Sequence, residues 1–524
     1  MFEDISALRG RPELEHFMAT IVGLRRETQT ISVDEFVMTE IVDGQQRLTT
    51  LVILLKTIEK ALDTSLTEQS KLKENLQELL VKQDKLSLIL LQTNHDSSEY
   101  FKNYLRKGDA PDPSQAETLA DKEILNAIRD CANFVDEWDD KIELLSILRN
   151  KLTFIFHEIA NEEIVYTVFE VLNNRGLPVE WLDRMKSMLM AIAFRDPIGT
   201  NQETLEELHR LWGEIYKTIG LRQGLRGDTL TIGATLYSQI RPSSLRRNEN
   251  AVDALVSQCK DSAERAIEIT ESLLTVTKSA DQLMVSEPYG NAVIKNAQSR
   301  LLAVAIMLGG YSETETEELL KKWRKVTFRV YGLCKRDART GVGDYVRLSW
   351  DITNRGLSAL DLMSRLNAIS EDTEHSVDWA TANLTNQNCY ENWQDELRYL
   401  LYRYEEYLAT GRGQLFDQET WNRIWAVSTS NSIEHVCPQS LGSDDPRDTN
   451  EIFVHRLGNL TILPPGLNST LSSRSPNDKA KDYLSCGLFG AAEVAEIIQE
   501  QGWNVNQVIE REKRMLEWVT DEWG

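Results

Sequence analysis

Three short blocks toward the C-terminal end carry the residue types that hydrolyse phosphate esters: Glu434-His435 with Pro438-Gln439 just after, Gly458-Asn459-Leu460, and Asn468. Histidine titrates near neutral pH, so His435 is suited to take a proton from an attacking water. A phosphodiester also needs a cation to hold the phosphate and to stabilise charge on the leaving oxygen. Mg2+ (or Mn2+) takes oxygen ligands and keeps several waters, so one carboxylate and one amide carbonyl suffice; Glu434 and Asn468 are the candidates. Asn459 can orient the imidazole or its loop through hydrogen bonds, which makes it the second catalytic candidate beside His435. His455 reads as a loop or helix-face residue. Cys437 precedes a proline and has no partner cysteine, so it reads as a small buried side chain.

A second polar group stands near the N-terminal end. Asp43-Gly44-Gln45-Gln46-Arg47 sets a glycine turn before a helix whose first turn carries two glutamines and an arginine. Free backbone N–H groups and the helix dipole suit an anion there, and Arg47 adds a charge-assisted donor. Asp43 serves as a cap or a cation ligand. Asn173-Asn174-Arg175-Gly176, with Asp183 and Lys186 on the next helix, makes another such turn; the two folded together form a phosphate pocket. The sequence has no Gly-x-x-x-x-Gly-Lys-Ser/Thr loop, which sets a P-loop NTPase aside.

Regular elements must hold these side chains. Ile433–Val436 reads as a strand ending at Pro438, Leu460–Leu463 as a second strand stopped by Pro464-Pro465-Gly466, and a helix starts near Asn468. Glu434 and His435 are neighbours, so a regular strand turns them to opposite faces; both reach one site only if the strand ends or bulges there. Upstream, Phe36–Val42 is a strand running into the Asp43-Gly44 turn, and Leu48, Leu51, Leu54, Leu55, Ile58 and Leu62 recur at helical spacing. Thr153–Ile159 reads as a strand, and Glu163–Leu172 and Trp181–Phe194 as helices flanking the Asn173 turn. Amphipathic patterns then dominate to about residue 369, among them Leu205–Ile219, Ala251–Lys278 and Ala297–Leu308.

At 524 residues the chain predicts two or three domains, divided here as 1–200, 201–385 and 386–524. No apolar stretch approaches a membrane span, and the opening Met-Phe-Glu-Asp shows no signal peptide. Six scattered cysteines form no Cys-x-x-Cys pair, against both a disulfide framework and a zinc knuckle. The chain is read as cytoplasmic, with no membrane partner. A formal charge of −24 works against simple nucleic-acid binding, which draws on Lys and Arg; a DNA enzyme of this balance needs local basic patches or bound metal.

Glu434-His435-x-x-Pro438-Gln439, Leu457-Gly458-Asn459-Leu460 and Asn468, with Lys479 further on, resemble the HNH (ββα-metal) nucleases. In particular they resemble the C-terminal domain of GmrSD-type, modification-dependent (type IV) restriction endonucleases. The resemblance implies His435 as general base, Asn468 as metal ligand and Asn459 in support. Asp-Gly-Gln-Gln-Arg-Leu-Thr-Thr at 43–50 and Phe169-Glu170-x-Leu172-Asn173-x-Arg175-Gly176 resemble the N-terminal domain of the same family. That domain has a ParB/sulfiredoxin-like core associated with nucleotide binding and hydrolysis, and the implied pocket is Asp43, Gln45, Gln46, Arg47, Asn173 and Arg175. Family members usually carry an aromatic, Pro and Gln-Arg segment well before this motif. Here His16-Phe17-Met18-Ala19-Thr20 comes almost at once, so the domain reads as truncated, without its first strand and part of its pocket. The expectation is an α+β, predominantly helical chain with a truncated ParB-like N-terminal domain, a helical middle region and a C-terminal HNH domain. It would cut modified phage DNA in antiviral defence, under control of a nucleoside triphosphate; a homo-oligomer is compatible with the sequence. Two alternatives stay open: a nucleotide-binding regulatory module with an inactive nuclease domain, and a non-catalytic subunit of a larger defence complex.

Overall fold

The computed structural model describes residues 1–31, 34–81, 98–109, 111–116, 118–159, 180–196, 202–286, 293, 295–371, 376–386, 388–414, 418–425, 428–439 and 454–524. The described chain is α+β and mainly helical, as expected. It divides into two compact units, Met1–Ala234 with Arg246–Lys278, and Thr235–Leu245 with Ser279–Gly524. The helices read as one connecting region are thus shared between the units. Among the described residues no helix is long and apolar enough to cross a membrane.

In the first unit the segment from His16 to Ile31, rich in β-branched residues, forms a long strand, β1. β2 (Asp34–Asp43) pairs with it antiparallel and β3 (Leu152–Ile159) parallel, giving the order β2-β1-β3. The long β1 accommodates both partners through irregularities at Phe17/Ala19, Val22/Gly23 and Arg25/Thr28. Helix α1 (Gln45–Ala61) buries Ile53, Leu54 and Ile58 in one cluster with Ile124, Ile128 and Cys131 of α2 (Leu119–Asp136). Leu54 and Ile58 belong to the apolar row that the sequence spacing predicts, and Ile53 widens it. The strand Thr153–Ile159 and the helix at Trp181, here α3 (Trp181–Arg195), form where the pattern put them. Glu163–Leu172 and the Asn173-to-Gly176 turn lie outside the described residues. The segment Ala251–Lys278 is two helices, Asn248–Val256 and Ala263–Ser286. Lys260 and Asp261 between them hold φ of 48° and 57°, values that a continuous helix excludes.

The second unit is built on Ala297–Leu308, an almost wholly buried helix packed against Val342–Arg355. Asp351, 1% exposed, receives Arg241, Arg355 and Arg365, which ties the detached segment Thr235–Leu245 into this unit. Its C-terminal part includes α4 (Cys389–Gly411), the hairpin β4 (Ile433–His435) and β5 (Leu460–Ile462), and four helices after the hairpin. Those are α5 (Leu467–Leu471), α6 (Pro476–Ser485), α7 (Phe489–Gln501) and α8 (Val505–Trp523).

Candidate functional site

The two short strands pair antiparallel with Glu434 opposite Thr461 and His435 opposite Leu460. The ladder runs on past the strand end, because the Val436 N–H donates to the Asn459 carbonyl at 3.0 Å. Asn459 is buried and spends its whole amide on this junction. Its Oδ1 accepts from the Cys437 N–H at 2.9 Å and the Trp503 indole at 3.1 Å, while Nδ2 donates to the carbonyls of Cys437 and Val454. Asn459 therefore holds the loop that follows His435 and makes no bond to the imidazole itself. Asn468, on the single-turn α5, donates to the Ile433 carbonyl at 3.0 Å and so pins the start of β4.

Because β4 stays regular, Glu434 and His435 face apart. Glu434, 4% exposed, turns to α6, where the Lys479 ammonium stands 2.6 Å and the Tyr483 hydroxyl 2.8 Å from its Oε1. Lys479 is fully buried and also donates to the His435 and Val436 carbonyls at 3.0 and 3.4 Å. Burial raises the Glu434 carboxyl above its ordinary range, with Lys479 as the largest opposing influence. The expected convergence of Glu434 with His435 on one cation is not what the fold brings together. The ammonium and the phenol hydroxyl both contact Oε1. Among the described residues no three His, Cys, Asp or Glu side chains assemble as a metal-binding group.

On the other face the His435 ring meets His455, with Nε2 3.1 Å from Nδ1 of the second imidazole. The Gln439 amide nitrogen lies 3.1 and 3.2 Å from the two His435 ring nitrogens. Tyr390 of α4 packs edge-on at 4.5 Å between centroids and stacks on His455 at 5.7 Å. Burial pushes His435 down to about 3, helped by its neighbours His455 and Lys479. At neutral pH the ring is uncharged, the form that accepts a proton. Sequence reasoning set His455 aside as a loop residue; the available signal was its position directly before Arg456-Leu457-Gly458-Asn459.

The Leu457-Gly458-Asn459 turn is also the seat of α8. A β-carbon on Gly458 would lie 2.0 Å from the Val508 carbonyl and 2.9 Å from the Glu512 nitrogen, so only glycine admits the helix backbone this close. Arg511 of α8, fully buried, donates to the Gly458 and Leu460 carbonyls at 2.9 and 2.8 Å and pairs with Glu493 at 2.8 Å. Arg456 pairs with Glu512 from the same turn. Glu405 of α4 receives the N–H groups of Phe489 and Gly490, the exposed donors at the start of α7.

In the first unit Gly44 takes φ 91° before α1 and approaches Ile21 of β1, leaving Gln45, Gln46 and Arg47 exposed on the first helical turn. Arg47 donates to the Thr20 carbonyl at 3.3 Å, and Asp43 pairs with Val22 at the strand end. Of the second cluster, Asp183 accepts from Tyr216 at 2.5 Å and stands 3.6 Å from Arg226. Burial lowers Lys186 from the usual lysine range, while Asp183 and Glu40 of β2 counteract that effect, so this lysine lies toward the sheet edge that ends in Asp43. Asn173 and Arg175 lie outside the described residues.

Two family descriptions match the chain: "GmrSD restriction endonuclease, N-terminal domain" over residues 1–190, and "GmrSD restriction endonucleases, C-terminal domain" over residues 375–518. No curated protein matches it.

Proposed function

The chain belongs to the GmrSD restriction endonuclease family, and from this premise we propose that it cuts DNA with His435 as the base that activates water. Membership makes it a DNA endonuclease of restriction, with DNA as its substrate. The finer reading is an HNH-type centre in which the neutral His435 ring takes a proton from water, the water oxygen bonds to phosphorus, and one ester P–O bond breaks. The observation that carries this is His435 at the end of a hairpin whose next loop is locked by Asn459, with its ring set against His455 and Gln439. His455 and Gln439 hold the ring orientation.

Dependence on Mg2+ or Mn2+ is part of the proposal, but Glu434 does not fit as its ligand while Lys479 and Tyr483 occupy Oε1. Modified phage DNA as the target rests on the family's modification-dependent character. Control by a nucleotide is supported by the exposed Gln45-Gln46-Arg47 turn at a helix start beside Asp43.

The test is cleavage of plain and modified phage DNA by the purified chain, with and without divalent metal and nucleoside triphosphate. His435→Ala should abolish nicking while leaving a native circular dichroism spectrum and a cooperative unfolding transition; a His435→Ala protein that still cuts overturns the assignment. One observation favours a second reading, a nucleotide-binding regulatory module with an inactive nuclease domain: the candidate metal carboxylate is neutralised by a buried lysine. Triphosphate hydrolysis with no nicking in either metal would decide for it.

A further inference from the structure

Three arginines close on one carboxylate in the second unit, and the first of them is enough to neutralise it. The buried Asp351 lies on the helix Val342–Arg355. Arg241 takes both of its oxygens, with Nε 2.8 Å from Oδ1 and a terminal nitrogen on Oδ2. Arg365, from the helix Ala359–Ser370, adds a second donor to Oδ2 at 2.8 Å, and Arg355 stands 3.4 Å from Oδ1. Three positive charges thus share one negative charge. Asp361, one turn before Arg365 and engaged by the Ser358 hydroxyl at 2.6 Å, reduces the surplus without cancelling it. The fold has other struts at these places. Trp350 and Asn354 donate to the Ser238 and Leu236 carbonyls, each at 2.8 Å, and fix the Thr235–Leu245 segment independently. The helix of Arg365 is seated by the fully buried Leu362 and Leu366.

The two additional arginines are open to solvent, with 58% of the Arg355 side chain and 49% of the Arg365 side chain exposed. Arg365 commits one N–H to Asp351, and Arg355 meets it only at ion-pair distance, so most donors of both forks remain uncommitted. The Arg355 guanidinium also lies 5.5 Å from the centre of the Trp350 ring, which orients the fork. Like charges held this close repel, and a bound anion relieves them. The planar guanidinium fork matches a phosphate in geometry. A chain of formal charge −24 repels DNA over much of its surface, so affinity for its substrate must come from local basic sites. We propose that Arg355 and Arg365, backed by Arg241 on the buried Asp351, form a clamp for backbone phosphates of the DNA substrate. The proposal rests on DNA being the substrate and is independent of His435 being the base.

The experiment is binding of the full-length chain to a labelled DNA duplex, followed by fluorescence anisotropy across a range of salt concentrations. Divalent metal is left out so that the duplex stays intact. Each phosphate contact contributes about 0.9 to the slope of log K against log salt. Arg355→Gln and Arg365→Gln should each weaken binding and lower that slope by about 1, and the double variant should lower it by about 2. Arg355→Lys keeps the charge and should keep the slope. Arg265→Gln, at an exposed arginine of the first unit paired with Glu268, should bind as the wild type does. Every variant should unfold cooperatively near the wild-type midpoint. Unlabelled duplex, polyglutamate and a free nucleoside triphosphate are the competitors at equal ionic strength, and only the duplex should displace the label well. Three results overturn the proposal: no binding by the wild type, an unchanged slope in the double variant, or displacement by polyglutamate or triphosphate as effective as by duplex. In the last case the arginines receive an acidic protein or a free nucleotide instead. A chain that binds as described yet never nicks DNA sinks the His435 reading alone, and a chain that nicks while the double variant keeps the wild-type slope sinks only this one.

Discussion

Replacing Glu405 with glutamine should flatten the pH dependence of stability of the second unit. Glu405 is 2% exposed and accepts the N–H groups of Phe489 and Gly490 at 2.7 and 2.6 Å. Burial pushes its carboxyl up to about 7 from an ordinary 4.5, against the pull of those two donors and of Arg511. The gap is worth about 3 kcal/mol, at roughly 1.4 kcal/mol per pH unit. Below pH 4.5 the group is protonated whether folded or not, and folding carries no penalty. As pH rises toward 7 the folded chain keeps a proton that the unfolded chain has released, so stability falls; above 7 the loss is complete. Glutamine stays neutral throughout, and it lacks one of the two acceptor oxygens, a cost that does not vary with pH. The measurement is urea unfolding of the full chain at pH 5 and pH 8, for wild type and Glu405→Gln. The wild type should lose about 2–3 kcal/mol more than the variant between the two conditions, since every other titrating group is common to both. Equal pH slopes in the two proteins would show that Glu405 ionises in the folded state at no extra cost, and the burial argument would fail.

Gly458→Ala should destabilise the hairpin by at least the upper part of the about 1–3 kcal/mol typical of overpacking, because its β-carbon meets helix backbone rather than a flexible side chain. An unchanged unfolding midpoint would contradict the close approach of α8. Lys479→Met should cost about 3–5 kcal/mol by leaving the Glu434 carboxylate buried without a counter-charge, and adding Glu434→Gln should restore most of it. If the double variant is as unstable as the single one, Lys479 acts through its bonds to the His435 and Val436 carbonyls rather than through charge.

The candidate hairpin was legible because its signals are local. Pro438 and Pro464-Pro465 bound two short apolar runs, and the structure pairs those runs in the register that sets His435 opposite Leu460. The divergence of Glu434 from His435 was also contained in strand alternation; the expectation of a bulge at the strand end set that rule aside. The partner of Glu434 was harder to read. Lys479 lies 45 residues on, and nothing in its neighbourhood separates a buried ammonium from a solvated one. The same holds for Arg511, which reaches back 51 and 53 residues to the hairpin carbonyls. β1 went unread although it holds several Thr, Ile and Val, because Arg25-Arg26-Glu27 in its middle interrupts the apolar run.

Arg511 and the contact of α8 at Gly458 have a consequence for how the protein is made. The carbonyls that Arg511 ties down belong to the turn and strand beside Asn459, yet this arginine follows them by 51 and 53 residues. A nascent chain still attached to its ribosome therefore carries every side chain of the candidate centre without the strut that holds them in register. The register of the hairpin is therefore completed only when α8 has been made and has docked against Gly458.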